Sequence, residues 1–582
     1  VDAISAEDIG KFPDNNLAES LQRITGVSID RTNGEGSKVT VRGFGPAFNL
    51  VTLNGRQLAA SDVSVVGGDQ NSDFAVGADR SFNFANLASE GVQTLEVYKT
   101  ARAAVPSGGI GATINIITRH PLDARKDGLS GSVSAKALYD TSMDRRVDDR
   151  SKITPELSGF VNYKNPSETF GVALFGSYQK RNYSSAAATS NAWNIRTYSQ
   201  FADPGNGFVD RDGSTEIVNA PSDPNTLVGI PNDSRYHFAE GTRERINGQL
   251  LLQFRPMDTL TITADGLYAQ NKQSEQRGDQ SNWFNRPFSR VVFNDADPVA
   301  TTEFLAETIN GVKDEGFEQQ YRAQKNKLWD VGLNVAWDFA DNMSFALDGH
   351  VGKSSSDPNN PNGVSSTLVS MGAPVVAAQS LDWSSGFPVQ DITVNDAIKG
   401  NGNGVVDIGD LGSQVARTVA SSQEQRIKEI RGDFGWDLGD GAKFSAGAEY
   451  RTAKTTQARV QTQQTLGDWG ILERGDVQQY AGDLVTEYCL VCKFKHYTPG
   501  TGAGLQNAFR ANAADLYNAL SPVYAAAGKP VGITAQENNR LKEDVFAVYG
   551  QLEWNGSIAG HDANLVIGAR YEDTHVTSTS LV

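Results

Sequence analysis

Two patterns of hydrophobic and polar residues divide this chain. Over the first 120 or so residues, apolar positions come in short, mixed clusters. Leu17, Leu21 and Ile24 share one face at helical spacing, with Asp14 placed to cap that helix. Ser5-Ala6-Glu7-Asp8 reads as an earlier helix start. Short strands are predicted at 26–30, 38–42, 50–53, 94–99 and 112–118, and Asn54-Gly55 suits a two-residue hairpin turn. The expected unit is a small α+β domain over 1–122.

From about Gly128 the period becomes two. Phe170, Val172, Leu174 and Tyr178 alternate with Gly171, Ala173, Ser177 and Gln179; Phe175 breaks the pattern. Trp329, Val331, Leu333, Val335, Trp337 and Phe339 alternate with Asp330, Gly332, Asn334, Ala336 and Asp338. The same holds around Leu260–Tyr268 and Phe546–Trp554. A soluble sandwich also alternates. Three features favour a membrane barrel instead. The strands run to about ten residues or more. Aromatics lie near strand ends, as in an interfacial girdle. Short turns near 165–166, 255–258, 341–342, 439–441 and 556–561 alternate with long loops near 182–241, 274–324, 354–422 and 458–543. Outer-membrane barrels segregate short periplasmic turns from long extracellular loops in this way. About eleven strands can be counted over 128–582. An odd number would leave unpaired edges in lipid, so the expectation is that a C-terminal half of the barrel lies beyond this sequence.

Composition narrows the class. Among 582 residues there is no apolar run of the roughly 18 residues that a membrane helix needs, and mean hydropathy is −0.40. Barrel strands give weak hydropathy, so this leaves the membrane reading intact. The net charge of −17 comes without the basic stripe of a nucleic-acid binder. The two cysteines, Cys489 and Cys492, form one C-x-x-C. Zinc would need a second ligand pair beyond His496, and a redox site would need a βαβ setting, so a local disulfide in an oxidising compartment is the preferred reading. No G-x-S-x-G, H-E-x-x-H or P-loop is present and the six histidines are scattered, so no enzyme is expected. Glycine runs such as Gly108–Gly111 read as tight turns.

The early motifs carry a family resemblance. Asp8-Ile9-Gly10-Lys11-Phe12-Pro13-Asp14, Leu17-Ala18-Glu19-Ser20-Leu21 and Gly26-Val27-Ser28-Ile29 resemble the plug of TonB-dependent receptors. So do Val41-Arg42-Gly43-Phe44-Gly45, Val51–Arg56, Glu96-Val97-Tyr98-Lys99 and Gly108–Ile116, in order and spacing. The wording is similar to the subgroup common in Caulobacter- and Xanthomonas-like bacteria. The resemblance implies a transmembrane β-barrel of 22 antiparallel strands in the outer membrane, with an N-terminal α+β plug inside its lumen. It implies active import of a small extracellular ligand, powered by TonB with ExbB/ExbD through a box preceding Val1. It implies plug–barrel contacts at Arg42 and Glu96, and Arg56 is added as a further cationic candidate.

The ligand is read from side-chain chemistry. The plug apex should include Phe44 to Asn49, and a second apical loop over 59–84 carries Asp69, Arg80 and Phe82. Extracellular loops supply Trp193, Trp283, Trp383 and Trp469. Each aromatic has a plainer role available in loop packing or the membrane girdle. Aromatic faces with carboxylates and amides suit an oligosaccharide, the expected cargo; a ferric siderophore is the alternative. No cofactor is expected. Asn401–Asp410 resembles a calcium loop but has Lys399 where the first acidic ligand belongs, so a Gly/Asn turn is preferred there.

Overall fold

Eleven long antiparallel strands make a curved wall: Gly128–Tyr139, Ile153–Lys164, Phe170–Thr189, Asp233–Met257, Leu260–Trp283, Val299–Ala340, Met343–Pro358, Gly412–Gly439, Ala442–Thr465, Gly532–Ile558 and His561–Leu581. The computed structural model describes every residue except 11–13, 15, 64–79, 285, 297, 468–473, 495–506, 559 and 582. Register joins each wall strand to the next, for example Leu250↔Gly266, Ala264↔Leu333 and Ile430↔Tyr450. The strand order also returns from the eleventh strand to the first, but no residue register defines that joint among the described residues. Both strands are exposed along most of their length, so this seam is the least sealed joint of the wall.

Alternation sets the two faces. Val331, Leu333, Trp337 and Phe339 are exposed while Asp330 is buried; Phe170 and Leu174 are exposed while Ala173 and Gln179 are buried. The outward apolar rows form a belt, and the inward rows are polar. Phe175 belongs to the inward row, where it lies against Gly91 of the plug.

Two expectations need correction. The strands are longer than the sequence pattern indicated: the fourth has 25 residues and the sixth 42. An apolar belt needs only about 9–11 tilted residues per strand, so the pairing continues well past it. Ladder hydrogen bonds form equally well between polar residues, and a criterion based on apolar alternation stops where the belt stops. The long loops shrink accordingly; the one following Thr189 ends before Asp233.

The N-terminal region forms a five-stranded sheet in the order Asp2–Ser5, Val92–Tyr98, Ala112–Thr118, Asn49–Leu53, Arg56–Gln57. A hairpin of Val27–Thr32 and Glu35–Val41 stands beside it. Asn54 and Gly55 make the two-residue turn, both at positive φ. Leu17, Leu21, Leu53, Leu95, Val97, Ile114 and Ile116 form its core. The helix Leu17–Leu21 is capped by Asn16, not Asp14: Asn16 Oδ1 accepts from the Ala18 and Glu19 N–H groups. Asp14 instead accepts from Ser20 Oγ and Arg23 Nη1.

The segment after the ninth wall strand builds its own unit. Helices Asp476–Ala481 and Ala513–Ala526 and the paired strands Thr486–Cys489 and Asn507–Arg510 pack Val477, Leu490, Phe509 and Leu520 against Tyr236, Phe238 and Phe317 of the wall and Met371 of the adjoining strand Ser366–Asp382. Cys489 and Cys492 are disulfide-bonded within it. Tyr236 and Phe238 alternate with the plug-facing Arg243 and Arg245 in an unbroken register, so this unit covers the wall face remote from the plug.

Candidate functional site

Two reciprocal ionic centres are the most deeply buried of the ionic contacts between plug and wall. At the first, the plug gives a cation. Arg56, next to the Asn54-Gly55 turn, directs Nε to Asp348 Oδ1 at 2.7 Å and Nη2 to Asp348 Oδ2 at 3.0 Å, while Nη1 reaches Asp265 at 2.5 Å. Burial opposes the Arg56 charge, but bonds to Asp348 and Asp265 outweigh it and hold the guanidinium above its ordinary range. Gly332 makes the room, since a Cβ there would overlap the Arg56 guanidinium.

At the second centre the plug gives an anion. Glu35, on the hairpin, contacts Arg243, and Arg181 and Arg245 each approach it at 3.7 Å. Asn16 Nδ2 donates to Glu35 Oε1 at 3.0 Å and to Gly36 O at 2.7 Å. The capping residue of the plug helix therefore also holds the carboxylate that the wall arginines grip. At the hairpin tip, Asn33 Nδ2 donates to Glu275 Oε2 at 3.0 Å and Arg181 Nη2 to Asn33 O at 3.1 Å.

Between these centres the wall satisfies plug backbone groups directly. The N–H groups of Ala60, Asp62 and Ala88 donate to Gln425, Gln423 and Asn247 at 2.7–2.8 Å. Such bonds exchange with water at small net cost, so the interface is specific yet separable.

The sequence candidates fall in several places. Arg56 lies at the first centre. Arg42 is exposed at positive φ, and Glu96 accepts from Tyr98 Oη and Asn115 Nδ2 inside the plug sheet. Neither is placed against the wall, because both are held by the local turn and sheet. Asn49, Arg80 and Phe82 line one cavity of ≈ 190 Å3 together with wall residues Gln425, Arg451 and Glu572. Phe82 is buried there against Phe84, which makes it a packing residue. Phe44 is exposed and stands edge-on to Phe48. Trp283 shares the plug-facing row with Asp265 and Glu275, and the Arg235 guanidinium lies 5.2 Å from its ring. Trp193 and Trp383 pack against each other with tilted rings, centroids 5.8 Å apart, in a different loop cluster. Asp69 and Trp469 lie outside the described residues. The predicted aromatic set is therefore dispersed.

In the calcium-like loop the acids serve the backbone. Asp410 accepts from the Asn401 and Asp407 N–H groups, Asp407 from Gly409 N–H, and Asp396 from Gly404 N–H. Burial and the neighbouring Asp407 and Asp396 push the Asp410 carboxyl up. Among the described residues no group of three His, Cys, Asp or Glu side chains is arranged to hold a metal.

Asp265, Asp348, Glu35 and the three arginines around it were not identified from sequence. For the wall residues the available signal was their place in inward-facing rows, which they share with many other polar residues; Glu35 sits on the plug hairpin and has no such signal.

A polar-lined strand wall with an apolar outer belt and a docked α+β plug defines the class: an outer-membrane β-barrel protein with a plug of the TonB-dependent receptor kind. Residues 1–113 match the family model described as TonB-dependent Receptor Plug Domain. A curated relative, the ferric enterobactin receptor PirA of Pseudomonas aeruginosa, is 28% identical over 137 residues, 22% of this chain and 18% of the relative. The chain thus matches less than a fifth of that protein. Similar solved structures include the ferric enterobactin receptor PfeA of P. aeruginosa (12% identity, TM-score 0.29, 95% of this chain and 70% of that one). The ferric preacinetobactin receptor BauA of Acinetobacter baumannii is another (10% identity, TM-score 0.32, 99% and 75%). Scores this low carry no argument about the ligand.

Proposed function

We propose that the protein imports a ferric siderophore across the outer membrane, with energy delivered by TonB and its ExbB/ExbD partners. In this reading 1–122 act as the plug and 128–582 as wall. The observation that carries it is the 28% identity over 137 residues to a ferric enterobactin receptor. The oligosaccharide cargo expected from the loop tryptophans loses its main support, since those residues do not form one surface. The subgroup resemblance still rests on motif wording alone, which keeps glycans in the test.

The geometry supports a mechanical cycle. Asp2–Ser5 is an edge strand, held by four residue pairs to Val92–Tyr98. Traction on it would reach Asn16 next, and with Asn16 the grip of the wall arginines on Glu35. Loosening that centre while Arg56 holds its aspartates would tilt the plug without releasing it. Much of the interface is polar, so water can fill most of the opening, while Leu267, Leu328 and Ile427 of the wall, which pack on the apolar core of the plug, resist wetting there.

The test is binding and uptake by the full-length receptor. Ferric catecholates, ferric hydroxamates and a panel of oligosaccharides are titrated calorimetrically, and radiolabelled iron uptake is compared in cells with and without TonB. Saturable binding of one ferric chelate with TonB-dependent uptake is expected. Binding confined to sugars would overturn the siderophore assignment, and uptake indifferent to TonB would overturn active import.

A further inference from the structure

Two loops at the long-loop end of the wall build a separate core from Phe201, Phe208, Val228, Ile230, Phe284, Phe288 and Phe293. Strand Trp193–Thr197 pairs with Leu227–Pro231 and places Arg196 opposite Val228. Phe208 sits fully buried in this core, its carbonyl accepting from Phe288 N–H at 2.9 Å. The guanidinium carbons of Arg196 and Arg286 each lie 4.5 Å from the Phe208 ring centre. They are therefore separated by no more than twice that distance.

Neither side chain has an acidic partner within ion-pair range among the described residues. Neighbouring arginines do: Arg290 pairs with Glu216 at 3.4 Å, and Arg235 with Glu318 at 3.2 Å. The acid that acts on Arg286, Glu307, is already committed. It contacts Lys313, accepts from Gln379 Nε2 at 2.8 Å, and accepts from the backbone N–H of Arg286 at 3.1 Å. Arg196 Nε is buried without a hydrogen-bond partner. Burial and the like charge of Arg196 push the Arg286 guanidinium below its ordinary range. Two half-buried cations held on one rigid ring are costly without a counter-charge. Their forks are pre-set for oxygen anions.

We propose that Arg196 and Arg286 form an anion clamp that takes a phosphate group. The chemistry is shared by two sources, a soluble phosphorylated ligand and the phosphates of an outer-leaflet lipid. The clamp does not depend on what the barrel imports.

The experiment uses the full-length receptor and two probes. Inorganic pyrophosphate is titrated calorimetrically, and flotation measures binding to vesicles containing lipid A with or without its phosphates. R196Q and R286Q should each weaken the responding probe about tenfold, the loss of one charge-assisted hydrogen bond, and R196K should retain part of the binding. Heat-modifiable gel migration checks that each variant keeps its barrel. A pyrophosphate response assigns the soluble source, and a response only to phosphorylated lipid A assigns the membrane source. If neither probe binds, or if a folded R196Q/R286Q double variant binds as well as the parent, the clamp is refuted.

Discussion

Replacing Arg56 by methionine keeps the volume of the side chain and deletes the cation between Asp265 and Asp348. In the structure the three side chains are 4%, 6% and 13% exposed, so water cannot replace the guanidinium without the plug moving. Breaking a buried pair by removing one partner costs about 3–5 kcal/mol, because a charge is left unpaired. Here two carboxylates remain, one of which, Asp348, still receives Asn334 Nδ2 at 2.9 Å. The upper part of that range is therefore expected for undocking of the plug. The readout is limited proteolysis of the purified receptor, where cleavage within 1–122 should accelerate by two orders of magnitude or more, since each 1.4 kcal/mol is about tenfold. Cells should also become sensitive to antibiotics too large for ordinary porins. The triple variant R56M/D265N/D348N removes the stranded charges and should recover most of the protection. If R56M leaves proteolysis unchanged, or the triple variant is as labile as R56M, the ion cluster does not anchor the plug.

Four further outcomes are expected. G332A should reproduce R56M in the proteolysis assay, because its Cβ would overlap the Arg56 guanidinium, whereas G349A, with only an ordinary 3.6 Å contact, should behave as the parent. G91V should also loosen the plug, since even a Cβ would approach Phe175 at 2.8 Å and Gln249 at 2.7 Å; normal protection would contradict the close approach. N16A deletes a helix cap and two bonds to the hairpin and should cost about 1–3 kcal/mol, read as faster amide exchange over 16–36 with the wall unaffected. Glu315 lies far from the apolar belt, and burial raises its carboxyl to about 8. A carboxyl held above its usual 4.5 favours the folded state at low pH, and that stability is lost progressively as pH rises from 4.5 to about 8. E315Q, which mimics the protonated form, should flatten this decline and melt higher than the parent at pH 8.5; equal melting curves at pH 5 and pH 8.5 for both would refute it.

The alternation was legible because lipid on one side and water or plug on the other impose a period of two, and each residue reports its own side. Val331 and Asp330 can be assigned from sequence without knowing what they touch. The partners of Arg56 cannot: Asp265 and Asp348 are 209 and 292 residues away. They are two acids among the 69 Asp and Glu residues of the chain, and only the strand register brings them to one point. The same holds for Glu35, whose arginines come from two different wall strands. The misplaced cap follows from the same limit. Asp14 and Asn16 are equally good caps by type, and the choice is made by the hairpin, which offers Asn16 an acceptor at Glu35 and gives Asp14 none there. The ligand is less legible still. Motifs that are recognisable in a plug are those that fold it and fit it into a barrel, and these needs are the same whatever is carried. The aromatics expected at a ligand surface follow no common rule: Trp193 and Trp383 lie in the loop region, whereas Trp283 ends a wall strand. Their dispersal over two clusters shows why counting aromatics in loops predicts a binding surface poorly: an exposed ring in sequence becomes a contact only when a loop core, such as the one around Phe208, fixes where it points.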